Sequence, residues 1–149
     1  MTFHDANGSR TMRIGILGTG AMSAALGGAW VRAGHEVMVG GRNAASAAAT
    51  AARIGAVAHG GLVETARYGE AILLAVPADT APRLAGELAA DLAGRTVLDC
   101  TVPMRPSSDG GPVLSTAGGT DSAALRIAAA ARPGPGPRRR RRPVTLPTG

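Results

Sequence analysis

The sequence predicts an α/β domain built on a doubly wound parallel sheet over residues 12–100, and three observations predict it. Short apolar runs alternate with helical patterns for about ninety residues. The runs are apolar throughout, as strands buried on both faces require. Glycine or proline punctuates nearly every junction between run and helix. Right-handed crossovers then favour the strand order 3-2-1-4-5.

Each element has its own warrant. Arg13 to Leu17 is a short apolar run stopped by Gly18-Thr19-Gly20, which suits a buried strand entering a turn. Ala21 to Ala33 places Leu26, Trp30 and Val31 at helical spacing, with Gly34 as a C-terminal cap. Glu36 to Val39 reads as a second strand ended by Gly40-Gly41, and the alanine-rich stretch Ala44 to Ile54 as a helix closed by Gly55. Ala56 to Ala58 is a short third strand, followed by a helix over Leu62 to Tyr68. Ala71 to Val76 carries the strongest strand signal and is bounded by Pro77. Thr80 to Leu92 reads as one helix with Pro82 in its first turn, and Thr96 to Asp99 as the fifth strand. Ser107 to Pro112 reads as a loop, and Ser122 to Ala131 as a helix with Ser122 near its N-cap.

Composition excludes several function classes. The only cysteine, Cys100, rules out an intrachain disulfide and a multi-thiolate zinc site. His4, His35 and His59 have no metal-ligand spacing. Phe3, Trp30 and Tyr68 leave few stacking platforms for single-stranded nucleic acid. No apolar run reaches membrane-spanning length, and glycines at 15, 18 and 20 interrupt the stretch that most resembles a signal peptide. The expectation is a soluble, cytoplasmic domain without a membrane partner. All sixteen basic residues are arginine, and five form one block, Arg138 to Arg142; without it, eleven arginines face ten carboxylates. A body so nearly neutral offers no basic face for nucleic acid.

The sharpest motif is Gly18-Thr19-Gly20-Ala21-Met22-Ser23, which follows a strand and opens a helix. Gly18 permits a tight turn, Gly20 lets a pyrophosphate approach the backbone, and Ser23 stands where a small residue allows close helix–strand packing. The helix N-terminus supplies free amides to the phosphates. This is the fingerprint of a Rossmann dinucleotide-binding domain; the alternative is a turn that uses glycine for backbone geometry alone. The end of the second strand reads Gly40-Gly41-Arg42-Asn43, with no acid to accept from ribose hydroxyls. Arg42 supplies a planar cation suited to a 2′-phosphate, which favours NADP over NAD, unless it is a solvated residue opening the next helix.

The runs RIGILGTGAM, WVRAGHEVMVGGRN, AILLAVP and TVLDCTVP resemble the NADPH-dependent coenzyme F-420 reductases, over roughly Arg13 to Pro103. Pyrroline-carboxylate reductases and membrane metalloreductases carry similar N-terminal domains. The resemblance implies hydride exchange between NADP(H) and a second acceptor, a small molecule or a 5-deazaflavin. It also implies that Gly18, Thr19, Gly20, Ala21 and Met22 form the pyrophosphate loop. Gly41, Arg42 and Asn43 would then meet the 2′-phosphate, and Ala75, Val76 and Pro77 would lie beside the nicotinamide. The family often has a serine before that arginine and a basic residue one turn later; Gly41 and Ser46 stand there instead, which implies weaker 2′-phosphate binding. No acid–base pair is evident: His59 reads as a loop residue, Cys100 as a small buried group and Asp99 as a strand-end residue. Hydride transfer between two cofactors tolerates that gap, because positioning supplies most of the catalysis.

Relatives continue into a sixth strand and a C-terminal segment that shapes the acceptor pocket and often a dimer interface, so a homo-oligomer is one expectation. Here Arg132 onward alternates Pro and Gly before the arginine block, which predicts a sheet without its sixth strand. The expected organisation is a flexible extension over 1–11, a Rossmann domain over 12–131 and a disordered tail over 132–149. Met12, where the pattern opens, is a second candidate start. The tail is read as a frame-shifted or truncated end, a solvated end, or a basic arm for nucleic acid or acidic lipid. A non-catalytic NADP-binding or sensing module and an inactive truncated product are the other readings of the chain.

Overall fold

The computed structural model describes residues 10–114 and 122–132. In it, strand β1 (Arg13–Leu17) leads into helix α1 (Ala21–Arg32), and β2 (Glu36–Gly40) into α2 (Ala44–Ile54). Next come β3 (Ala58–Gly60), α3 (Leu62–Tyr68), β4 (Ala71–Leu74), α4 (Ala81–Glu87), α5 (Ala89–Leu92) and β5 (Thr96–Asp99). A hairpin of β6 (Met104–Pro106) and β7 (Pro112–Leu114), then α6 (Ala123–Ala130), complete the described elements. The extension expected over 1–11 lies outside the described residues up to position 9. The tail expected over 132–149 lies outside them from position 133, with the nucleic-acid and lipid readings attached to its arginines.

The five strands form one parallel sheet in the order β3-β2-β1-β4-β5. No sixth strand joins it among the described residues, and β5 is an edge with Leu98 half-exposed. The strands are apolar because both faces are covered. Ile14, Ile16, Val37, Val39 and Leu73 pack on one face with Leu26, Trp30, Val31 and Ile54 of α1 and α2. Leu17, Ile72 and Leu74 pack on the other with Leu84, Leu88, Leu92 and Ile127. No helix among the described residues is long and apolar enough to cross a membrane.

Boundaries moved where hydrogen bonding overrode local pattern. The third strand starts at Ala58 instead of Ala56, because Gly55 takes φ +76° at the end of α2 and the Ala56 amide still donates to Ala51 O. The fourth ends at Leu74, in register with Leu17, instead of running to Val76. The single helix expected over Thr80 to Leu92 is two, broken at the buried Leu88 just after Gly86, a poor helix former. The loop expected over Ser107 to Pro112 proves to be mostly the turn of the β6–β7 hairpin, closed by Ser107 N donating to Gly111 O.

Register decides where a ligand can sit. Gly60, Gly40, Leu17, Leu74 and Asp99 form one row across the carboxyl end of the sheet. The residues that follow them are Gly61, Gly41, Gly18, Ala75 and Cys100. The chain reverses its direction of winding between β1 and β4, so a crevice opens above that point.

Candidate functional site

The loop after β1 is held from both sides. Gly18 N donates to Gly40 O at 2.9 Å, and Ala75 N donates to Leu17 O at 2.9 Å. Gly18 has φ +130°, and a Cβ there would stand 2.8 Å from the Ala75 carbonyl carbon, so glycine is required by conformation and by space. Gly20 is the N-cap of α1, without a side-chain cap, and no acid lies in the first turn. A Cβ on Gly20 would meet nothing within 4 Å: the space above the helix end is open. Ser23 is fully buried beneath the loop, as close packing requires, although its Oγ finds no partner.

The loop after β2 closes on the first. A Cβ on Gly41 would lie 2.9 Å from Thr19 Cγ2, and Thr50 Oγ1 donates to Thr19 O at 3.1 Å. Asn43 caps α2, its Oδ1 accepting from Ser46 N at 2.9 Å. Arg42 reaches Glu87 of α4 at 3.6 Å, with about half of each side chain exposed, and Glu87 also meets Arg83 at 3.7 Å.

These pieces surround a cleft of about 410 Å³. Gly18, Thr19, Gly20, Gly41, Arg42, Asn43, Ala75, Val76 and Pro77 all line it, so nine of the eleven residues singled out from sequence converge. Ala21 and Met22 do not line it; they open α1 and face solvent. Leu62, Thr80 and Leu84 line it as well and were missed. Leu62 and Thr80 sit just beyond the ends of β3 and β4, a position that could have flagged them. Leu84 is indistinguishable in sequence from any core leucine.

Two further hollows adjoin the cleft. One of about 620 Å³ continues past Arg42 between Gly61, Val63, Glu64 and Arg67, whose guanidinium is engaged by Asp91 at 2.7 Å. The other, of about 630 Å³, shares Pro77 with the cleft and runs between Ala78, Val102, Pro103, Met104 and Arg126. The arrangement suits an elongated anionic ligand, with loop amides and Arg42 at one end and the hollow beside Pro77 at the other.

The remaining candidates carry no acid–base chemistry. His59 lies within β3, opposite Val39, rather than in a loop, and is exposed. Asp99 ends β5 and accepts from Thr101 N at 2.8 Å, an ordinary turn role. Cys100 is half-buried rather than buried, its Sγ donating to Leu74 O at 3.4 Å. Burial, then the Asp99 carboxylate, push its thiol above the usual range. No cluster of metal-ligating side chains occurs among the described residues.

Residues 13–103 match the family described as coenzyme F420-dependent NADP oxidoreductase. None of the curated proteins compared matches the sequence. Among solved structures, a candidate F420-dependent NADP reductase from Arthrobacter sp. FB24 is 26% identical, with a TM-score of 0.67 over 80% of this chain and 58% of that one. A hypothetical protein from Sinorhizobium meliloti is 21% identical, with a TM-score of 0.63 over 81% of this chain and 57% of its own. Arogenate dehydrogenase from Synechocystis is 21% identical, with a TM-score of 0.57 over 66% of this chain and 36% of its own. The latter two show the shared fold, and the chain spans a little over half the length of the Arthrobacter protein. With 13–103 covering the Gly18–Gly20 loop, Arg42, Pro77 and all five strands of the sheet, the chain belongs to the coenzyme F420-dependent NADP oxidoreductase family.

Proposed function

We propose that this chain binds NADP(H) in the cleft between the Gly18–Gly20 loop and Pro77, and exchanges hydride with an acceptor in the adjoining hollow. The observation that carries the reading is the open space at Gly20. A helix N-terminus faces it with free amides, and Arg42, the only charged side chain among the described residues that line the cleft, lies just beyond β2. The amides at the start of α1 hold a pyrophosphate. Arg42 meets the 2′-phosphate after exchanging its contact with Glu87. Val76 and Pro77 border the nicotinamide end and exclude water from one side of it. A bound NADPH would supply a hydride, passing one hydrogen with both bonding electrons to a carbon of the acceptor and leaving NADP+. Solvent supplies any proton the reduced acceptor takes up, since neither hollow presents a paired acid and base. The family makes a deazaflavin the first acceptor to try.

Fluorescence titration tests the cofactor half. NADPH binds more tightly than NADH, and Arg42→Ala removes most of the difference while leaving NADH affinity unchanged. A charge-assisted contact is worth about 1.5–3 kcal/mol. Arg42 is more than half exposed, which brings the expected loss to the low end, about fivefold to tenfold. Equal affinities in the unmutated chain overturn the assignment to NADP. Loss of coenzyme F420 absorbance under NADPH tests the transfer half; binding without turnover favours a nucleotide-binding module instead.

A further inference from the structure

We infer that Arg126 makes the hollow beside Pro77 an anion-binding subsite, fitted to a carboxylate or phosphate carried on an apolar acceptor. Calling that ligand the acceptor rests on the cofactor reading above; the anion site stands on its own residues. Pro77, Val102, Pro103 and Met104 give the hollow apolar walls, and among the described residues Arg126 is the only cation lining it. The Arg126 Nε is buried and has no hydrogen-bond partner among the described residues. None of the ion pairs among the described residues includes its guanidinium. The other charge lining the hollow, Asp79, is exposed and lies beyond ion-pair distance of it. Thr101 Oγ1, one residue before the Val102 wall, is a second buried group without a partner.

A guanidinium cannot shed its proton to escape this position, and a buried donor left unpaired is costly. An oxygen anion satisfies both the charge and the N–H, and the planar fork suits a carboxylate or a phosphate. The position is held firmly. Ser122 caps α6 by accepting from Leu125 N at 3.2 Å, and Ala123 and Ile127 are buried on the face that packs toward α4. Apolar walls with a fixed cation, and with the Asp79 carboxylate held away from it, suit an apolar body bearing a single negative group.

Calorimetry of the full chain with benzoate and its neutral isostere benzamide tests this without any substitution. Benzoate is expected to bind at least about tenfold more tightly, the size of a charge-assisted contact; a preference below about threefold overturns the proposal. Arg126→Met brings the two ligands within about twofold, and Arg126→Lys keeps part of the preference as a point charge. A preference that survives Arg126→Met also overturns it. Inorganic phosphate binding as tightly as benzoate assigns the site to a free anion and overturns the acceptor class. NADPH titration of the same proteins separates the two readings. Benzoate preference without NADPH binding leaves the anion site standing and the cofactor assignment refuted; NADPH binding without benzoate preference does the reverse.

Discussion

Gly18 and Gly20 stand two residues apart in one motif, yet the structure separates their roles, and substituting alanine at each exposes the difference. At Gly18 the backbone has φ +130°, a strain for an L-residue of about 1–3 kcal/mol. The new methyl also collides with the Ala75 carbonyl, which cannot retreat because its own amide is bonded to Leu17 O. Overpacking of that kind costs about 1–3 kcal/mol more. The sum, about 2–6 kcal/mol, is a large share of a stability of about 5–15 kcal/mol. At about 2–4 °C per kcal/mol for a chain of this size, Gly18→Ala lowers Tm by about 4–24 °C. At Gly20 the backbone is extended and the methyl meets nothing. Alanine is a poorer N-cap than glycine by roughly 0.5–1 kcal/mol, and the stiffer unfolded chain offsets about 0.4–1 kcal/mol of that. Gly20→Ala therefore shifts Tm by no more than about 4 °C.

Ligand binding inverts the order of tolerance for Gly20. Its methyl enters the space assigned to the pyrophosphate, so NADPH affinity falls at least about tenfold, or 1.4 kcal/mol. Thermal denaturation with and without NADPH reads both quantities in one experiment, because a ligand that binds only the folded state raises Tm. Gly20→Ala melting near the parent without ligand, and gaining little from NADPH, is the expected result. A parent-like NADPH shift would reduce the glycine loop to a turn and refute the reasoning.

Three further outcomes follow from named contacts. Glu87→Gln frees Arg42 from its competitor across the cleft and removes a carboxylate from the 2′-phosphate end; NADPH affinity rises about twofold to fivefold while NADH affinity stays put, by titration. The Arg13 amide bonded to Glu70, together with the guanidinium of Arg10, holds the Glu70 carboxyl below the usual glutamate range. Its contribution to stability is present above the unfolded-state pKa and is lost as pH falls through the lower folded-state value. Glu70→Gln accordingly flattens the acid limb of a Tm-versus-pH curve, and an unchanged limb counts against the contact. Cys100 stays protonated at neutral pH and reacts with iodoacetamide more slowly than an unstructured cysteine peptide, the rate climbing as pH rises.

The sheet was legible because each strand had to be apolar on both faces and each crossover had to end at a glycine or proline. Residues such as Ile16, Val39 and Leu73 announce that burden directly. The β6–β7 hairpin did not, since its strands are three residues long, exposed, and bear Pro106 and Pro112, which argue against pairing in any sequence reading. The break at Leu88 was hidden for the opposite reason. Apart from Gly86 the residues around it suit a helix, and the chain bends there with Leu84, Leu88 and Leu92 all held in one cluster.

Legibility in the site follows the same physics. Gly18, Gly41 and Arg42 could be read from sequence because a positive φ, a close loop contact and a missing acid each leave a mark on residue type. The marks do not extend to pairings made across the fold. Glu87 lies forty-five positions after Arg42 and meets it only because β1 and β4 are neighbours in the sheet, which brings the last residue of α4 within reach of the loop after β2. Arg126 reads in sequence as one arginine on an alanine-rich helix. Its significance appears only when Ile127 is seated in the core, which fixes the neighbouring guanidinium at the wall formed by Val102 to Met104. The proposed cofactor contacts are thus carried by short-range backbone demands and survive in the sequence as motifs. The proposed acceptor contacts depend on which helix end comes to lie against which strand end, and the fold must be known before they can be named.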